Sequence, residues 1–234
     1  VIGVVIPAHN ECERLGDALA AVKEAARHPA LNGEAVGVIV VLDSCTDGSD
    51  RIAEQHRVAR LVLDVRNVGV ARARGAELCI DVGARWLAFT DADTVVAPDW
   101  LAMQLAEEAD AVCGCVTVDD WAMLGTDSER VRAHFDSRYM HADGHRHVHG
   151  ANLGVSAEAY RRAGGFAPLA CSEDVALVEA LEAIGARIAW SAAPRVTTSA
   201  RTDARARGGF GDTLLAMVAA LAPGPLPAAP EALA

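Results

Sequence analysis

Trp86-Leu87-Ala88-Phe89-Thr90-Asp91-Ala92-Asp93-Thr94 is the stretch from which the fold is read. A short apolar run ends abruptly in two carboxylates one residue apart. The run predicts a buried strand, and open α/β sheets bind their ligands at the carboxyl ends of strands. In extended backbone alternate residues share a face, so Asp91 and Asp93 point the same way. Two hard oxygen donors in that position suit Mg2+ or Mn2+ that also contacts phosphate oxygens. Taken alone, the pair also reads as a turn residue, Asp91, and a helix cap, Asp93, ahead of a helix that begins near Pro98.

Working outward, three further apolar runs precede this one, at residues 1–6 (stopped by Pro7), 36–42 and 61–65. Helical spacing follows each of them: residues 12–27 through Leu15, Leu19 and Val22, then residues 51–56 and 70–82. Pro98 fits the first position of a helix reaching residue 109. Four strand–loop–helix units in succession predict an α/β protein with a parallel sheet and right-handed crossovers, Rossmann-like in outline over residues 1–110. Residues 111–221 read as a mixed half. It comprises a strand at 111–118, a helix at 127–139, an extended segment at 145–155 and a short helix at 157–163 ended by Gly164-Gly165. A helix at 175–184, short strands at 187–190 and 195–198, and an apolar helix at 213–221 complete one domain. The Pro- and Ala-rich residues 222–234 read as a disordered tail.

Composition narrows the function. The 234 residues are 52% hydrophobic, enough for a large core. A net charge of −11 disfavours nucleic-acid backbones and anionic membranes as partners, so bound phosphate has to be met by a metal ion or by local arginines. No apolar run reaches the length of a membrane span, and a soluble cytoplasmic protein is expected. The six cysteines (Cys12, Cys45, Cys79, Cys113, Cys115 and Cys171) include no C-x-x-C pair and read as buried, reduced thiols.

Every predicted parallel strand ends in polar residues: Asn10-Glu11, Asp43-Ser44, Arg66-Asn67 and Asp91-Ala92-Asp93. One loop of this kind is unremarkable as a turn or cap, but four along one sheet edge define a cleft. Neither a G-x-G-x-x-G after the first strand nor a G-x-x-x-x-G-K-[ST] occurs, so Pro7-Ala8-His9-Asn10-Glu11 does not cradle a pyrophosphate with backbone amides.

Several segments resemble, in order, the motifs of family 2 glycosyltransferases. They are Val4-Val5-Ile6-Pro7-Ala8-His9-Asn10-Glu11, Val41-Leu42-Asp43-Ser44-Cys45-Thr46-Asp47-Gly48-Ser49, Arg66-Asn67-Val68-Gly69-Val70-Ala71-Arg72-Ala73-Arg74-Gly75 and Phe89-Thr90-Asp91-Ala92-Asp93. Gly150-Ala151-Asn152-Leu153, Gly164-Gly165-Phe166 and Ser172-Glu173-Asp174-Val175 extend the match, which spans about residues 2–210. The resemblance implies a GT-A fold and transfer of a sugar, with inversion, from a UDP- or GDP-type donor to an acceptor hydroxyl. By the same resemblance Pro7, Ala8, Glu11 and Asp43 hold base and ribose, with Asn10 and Ser44 beside them, and Asp43 accepts an N–H of uracil or guanine. Asn67 and Arg72 lie near the diphosphate, Asp91, Ala92 and Asp93 take the D-x-D position with Asp93 the direct metal ligand, and Asp174, ahead of Glu173, is the catalytic base.

Two segments depart from that pattern. His145, His147 and His149 would share one face of a strand, either as a transition-metal site or as solvated side chains with His149 alone at the cleft as a further metal ligand. Around Thr197 to Arg201 the metal-binding histidine of many GT-A enzymes is missing, and Arg201, Arg205 and Arg207 stand there instead, either to meet a diphosphate or an anionic acceptor or as a solvated charge run. Three rival readings remain open on the sequence: a nucleotidyltransferase, a non-catalytic sugar-nucleotide-binding protein and a histidine-metal hydrolase.

Overall fold

The computed structural model describes residues 1–119, 121–200 and 219. In chain order the first elements are β1 (Ile2–Ala8), α1 (Leu15–Ala25), β2 (Val36–Asp43), α2 (Ser49–Gln55), β3 (Ala59–Leu63), α3 (Val68–Asp81) and β4 (Trp86–Phe89). There follow β5 (Val95–Val96), α4 (Trp100–Ala106), β6 (Ala111–Asp119), α5 (Ser128–Arg138), β7 (Leu153–Ser156), α6 (Ala157–Arg162), α7 (Glu173–Ala183) and β8 (Ile188–Ser199). They form one 8-stranded sheet in the order β3-β2-β1-β4-β7-β6-β8-β5. β1 to β4 are mutually parallel, as the four units predict. β7 runs antiparallel to β4 and β6, β6 runs parallel to β8, and β5 closes the edge antiparallel to β8.

Side-chain alternation along β1 sets two cores. Ile2, Val4 and Ile6 meet Leu15, Leu19, Val22, Trp100 and Leu101 on the face covered by α1 and α4. Val5 joins Val41, Phe89, Ala76, Leu177 and Leu181 on the face covered by α3 and α7. α3 lies close to the sheet because Gly75 carries no side chain: a Cβ there would sit 2.4 Å from a Val5 methyl. All six cysteines are free thiols, and Cys79, Cys113 and Cys115 are buried. Among the described residues no helix is long and apolar enough to cross a membrane.

Several boundaries differ from expectation, each for a physical reason. Pro7 does not stop β1. The Val5 carbonyl accepts the Thr90 N–H on the β4 side, and Pro7 faces that same side beyond the last pair, Val5 with Phe89, so its missing N–H leaves no partner unmet. The helix expected from Pro98 begins at Trp100, so Asp93 is not its cap; Asp91 instead closes a turn by accepting the Thr94 N–H at 3.2 Å. Residues 145–155 are not one extended segment, since a 3-10 turn at Gly150–Asn152 precedes β7. The helix expected from residue 175 starts at Glu173, which places both acids in its first turn. The two short strands expected near the end are one, β8, with a register shift opposite Gly114/Cys115 that accommodates Pro194. The expected helix at 213–221, apart from Ala219, and the tail at 222–234 lie outside the described residues.

Candidate active site

The polar ends of β1, β2 and β3 are stitched to one another. Asn10 Oδ1 accepts the Thr46 N–H at 2.8 Å, the Glu11 N–H donates to Ser49 Oγ at 2.8 Å, and the Cys12 N–H donates to Asp47 Oδ2 at 2.9 Å. Although partial burial opposes it, donors from Ser49 and Cys12 hold the Asp47 carboxyl down at about 2. Asp43, at the end of β2, organises the neighbouring loop. Its Oδ1 accepts the N–H groups of Val65 and Arg66 at 2.8 and 3.0 Å, and its Oδ2 accepts that of Asn67 at 2.8 Å. The Ser44 hydroxyl donates to Oδ1 at 3.1 Å. Burial pushes the Asp43 carboxyl up, but these donors outweigh it and hold the group below its ordinary value. Both oxygens are thereby engaged inside the protein. Asn67 in turn caps α3 by accepting the Val70 N–H at 3.0 Å. Asn10, Ser44 and Arg66 all have positive φ, between 49° and 56°, so three strand ends reverse direction through a left-handed residue. Pro7 lies half-buried and Ala8 buried at the head of this edge, and Glu11 is buried behind the first loop.

At the fourth strand end the chemistry changes. The Arg72 guanidinium, 3% exposed, places Nη2 2.5 Å from Asp91 Oδ1 and Nε 3.3 Å from Glu173 Oε1. Burial works against its charge, but Asp91 and then Glu173 more than restore it. Glu173 is raised as well, which for a carboxyl is toward the neutral form: burial raises it, and Arg72 offsets part of that rise. Gly150 presses on this arginine so closely that a Cβ would lie 1.7 Å from Nη1. The adjoining Asp174 carboxylate takes the Gly150 N–H on Oδ2 at 2.7 Å and the Val175 N–H on Oδ1 at 2.8 Å. Thus Asp91, Arg72, Glu173, Asp174 and Gly150 form one contiguous set. The Gly150–Asn152 turn is fixed from beneath by Asn152, whose amide donates to the Cys115 and Pro194 carbonyls at 2.8 and 2.9 Å and accepts from the Trp100 indole at 2.8 Å.

Residues 3–162 match the family described as glycosyl transferase family 2. The chain belongs to that family. No curated protein matches it. Among solved structures it is similar to S. aureus TarS residues 1–349 in complex with UDP-GlcNAc, with a TM-score of 0.63 and 16% identity over 89% of this chain and 61% of that one. The same TarS segment in complex with UDP aligns with a TM-score of 0.60 and 14% identity, over 85% of this chain and 60% of that one. The mannosyltransferase PcManGT from Pyrobaculum calidifontis, in complex with GDP-Man and Mn2+, aligns with a TM-score of 0.60 and 18% identity over 87% of this chain and 58% of that one. The chain therefore has the GT-A fold and spans about three fifths of the length of these proteins.

Within this family 2 domain the expected donor residues Pro7, Ala8, Asn10, Glu11, Asp43, Ser44 and Asn67 lie along the ends of β1, β2 and β3. Asp91, Ala92 and Asp93 occupy the end of β4, with Asp93 half-buried and Ala92 buried. The D-x-D carboxylates suit a hard cation that draws its other ligands from phosphate and water. Arg72 lies under the cleft, bridging carboxylates. Arg201, Arg205 and Arg207 fall outside the described residues. His149 is not grouped with Asp91 and Asp93: among the described residues no three His, Cys, Asp or Glu side chains could together hold a metal ion.

The three histidine rings stack instead of converging, with centroids 5.4 Å apart for His145 and His147 and 6.1 Å for His147 and His149. Their acceptor nitrogens are occupied as well. His145 Nδ1 takes the His147 N–H at 3.1 Å, His147 Nε2 takes the Met140 N–H at 3.0 Å, and His149 Nε2 lies 2.9 Å from the Tyr139 hydroxyl. Tyr139 and Asn152 are the supporting residues that sequence reasoning did not single out. Asn152 had a signal, lying in the Gly150-Ala151-Asn152 motif, whereas Tyr139 had none beyond the end of a predicted helix.

Proposed function

We propose that the chain transfers a sugar from a nucleoside diphosphate donor to an acceptor hydroxyl by a single displacement with inversion. The supporting observation is the continuity from Asp91 through Arg72 to Glu173 and Asp174, which joins the strand end that faces a donor to a carboxylate able to take a proton. Asp174 removes the proton of the attacking hydroxyl. Two backbone N–H groups aim its carboxylate from the first turn of α7. Glu173 is less suited to that role because it is 5% exposed and paired with Arg72. Instead it keeps the guanidinium in place beneath Asp91.

The donor lies across the ends of β1, β2 and β3, where the stitched loops present a preformed edge. Asp43 shapes that edge by fixing residues 65–67. A divalent cation held by Asp91 and Asp93 would supply the positive charge that stabilises a departing diphosphate. UDP-GlcNAc and GDP-Man in similar folds support a nucleotide sugar as donor, and Mn2+ in one of them supports the cation.

A thermal-shift panel of UDP, GDP, UDP-GlcNAc and GDP-Man, each with and without Mn2+, tests this reading, because a ligand of the native state raises its melting temperature by mass action. One donor should stand out with Mn2+ and lose that increment in Asp93→Ala. Release of pyrophosphate from a nucleoside triphosphate would instead mark a nucleotidyltransferase. Tight donor binding with no turnover, even to water, would mark a binding protein.

A further inference from the structure

The histidine-rich segment departs from the family pattern and takes no part in the chemistry above, yet it ends against the proposed base. Tyr139 closes α5, its ring stacked between Phe135 (centroids 4.8 Å apart) and His147 (4.0 Å apart). Its hydroxyl oxygen accepts the Val116 N–H at 2.9 Å. That N–H lies beyond the point where β6 stops pairing with β7, Cys113 with Leu153. The same hydroxyl is hydrogen-bonded to His149 Nε2, 2.9 Å away. The next peptide along the chain carries the Gly150 N–H that holds Asp174 Oδ2 at 2.7 Å.

We propose that Tyr139 is a positioning residue for Asp174, acting through His149 and the Gly150 peptide. Resting on the reading of Asp174 as the base, the inference adds a four-part relay of fixed geometry: Val116 N–H to Tyr139 oxygen, Tyr139 hydroxyl to His149, His149 to the Gly150 peptide, and Gly150 N–H to the carboxylate. Each link comes from a different part of the fold: β6, the end of α5, the loop before β7, and α7. The Gly150 peptide cannot reorient freely, because Arg72 fills the space above its Cα. With that side closed, the remaining freedom of the peptide lies on the His149 side, where the Tyr139 hydroxyl holds the ring and so sets the N–H that aims the base.

The test is Tyr139→Phe, which keeps the stacked ring and removes only the hydroxyl. With the donor selected as above, kcat should fall roughly 10–100-fold, the cost of misaiming a catalytic group by a fraction of an ångström to an ångström. The donor KM should stay within about twofold, since donor contacts are untouched. His149→Leu should behave like Tyr139→Phe, whereas His149→Gln, which retains an amide to hydrogen-bond the Tyr139 hydroxyl, should recover most of the activity. An NMR readout is independent of turnover: the Gly150 amide proton, deshielded by the Asp174 carboxylate, should move toward the random-coil position in Tyr139→Phe and return in His149→Gln. Wild-type kcat together with an unmoved Gly150 signal in Tyr139→Phe overturns the proposal. If Asp174→Asn keeps its turnover, the base assignment falls and the Gly150 signal alone decides whether the relay exists.

Discussion

At the end of β2, Asp43 is held by backbone N–H groups of a nearby loop; at the start of α7, Glu173 is held by the side chain of an arginine from a distant helix. The first arrangement uses backbone donors that every residue but proline carries, so it tolerates sequence change in the loop. The second depends on one buried guanidinium shared between two carboxylates, an arrangement in which losing one partner strands the other. A preformed donor edge thus faces an acceptor side whose geometry rests on specific side chains. Substitutions on the acceptor side should act on chemistry, and those on the donor side on stability and ligand affinity.

The largest effect is expected at Asp174. Asparagine keeps the shape and its one remaining oxygen can still accept one of the Gly150 and Val175 N–H groups, but it cannot take a proton at neutral pH. Turnover should drop by at least about 10²-fold, the lower end for general base catalysis. Donor affinity by calorimetry should be unchanged. A matched loss of affinity and turnover would show that the two sides are not separable and would break the comparison.

Acid should act next, and on the acceptor side it acts through His149. Burial above all, with the neighbouring His147 and His145 and against the pull of Asp174, holds the His149 imidazole down at about 4. The unfolded chain binds a proton there near pH 6.5. Stability from this group is therefore complete above about pH 6.5 and is lost as pH falls toward 4, because the unfolded state binds the extra proton. The full loss is roughly 3 kcal/mol. Urea unfolding of wild type and His149→Gln across this range should give curves that diverge at neutral pH and approach each other in acid. Parallel curves would mean that His149 does not titrate as a buried group.

The same division explains how much could be read in the sequence. Each strand of the parallel half is a local apolar run that stops at polar residues, so four strands, their order of use and the edge they share follow from short stretches of chain. The acceptor half depends on contacts distant in sequence. Alternation at His145, His147 and His149 imitates a strand, but a loop wraps these rings onto Tyr139. Ser191 and Pro194 make β8 read as two strands, and their place in one is secured only by the irregular pairing with β6 and by Asn152. The burial of Arg72 did have a signal. With Ala71, Gly75, Ala76 and Cys79 it lies on the stripe of α3 that turns inward, whereas Arg74, two residues on, pairs with Glu77 at the surface. An arginine on an apolar stripe calls for carboxylate partners, here Asp91 and the buried Glu173.

The smallest effect sharpens the donor side. In Asp43→Asn one acceptor oxygen becomes an amide that cannot accept, so at least one N–H among Val65, Arg66 and Asn67 loses its partner. Leaving a buried donor unmet costs about 1–3 kcal/mol, which urea unfolding would register. Because residues 64–67 lead directly into α3, the donor-induced thermal shift should shrink without vanishing. The balance of the two numbers carries the inference. Lost stability with modestly weakened binding fits a carboxylate that shapes the loop and touches the donor through it. Unchanged stability with collapsed binding would instead mean that Asp43 turns outward to meet the nucleotide base, and the preformed edge would then belong to the unliganded protein alone.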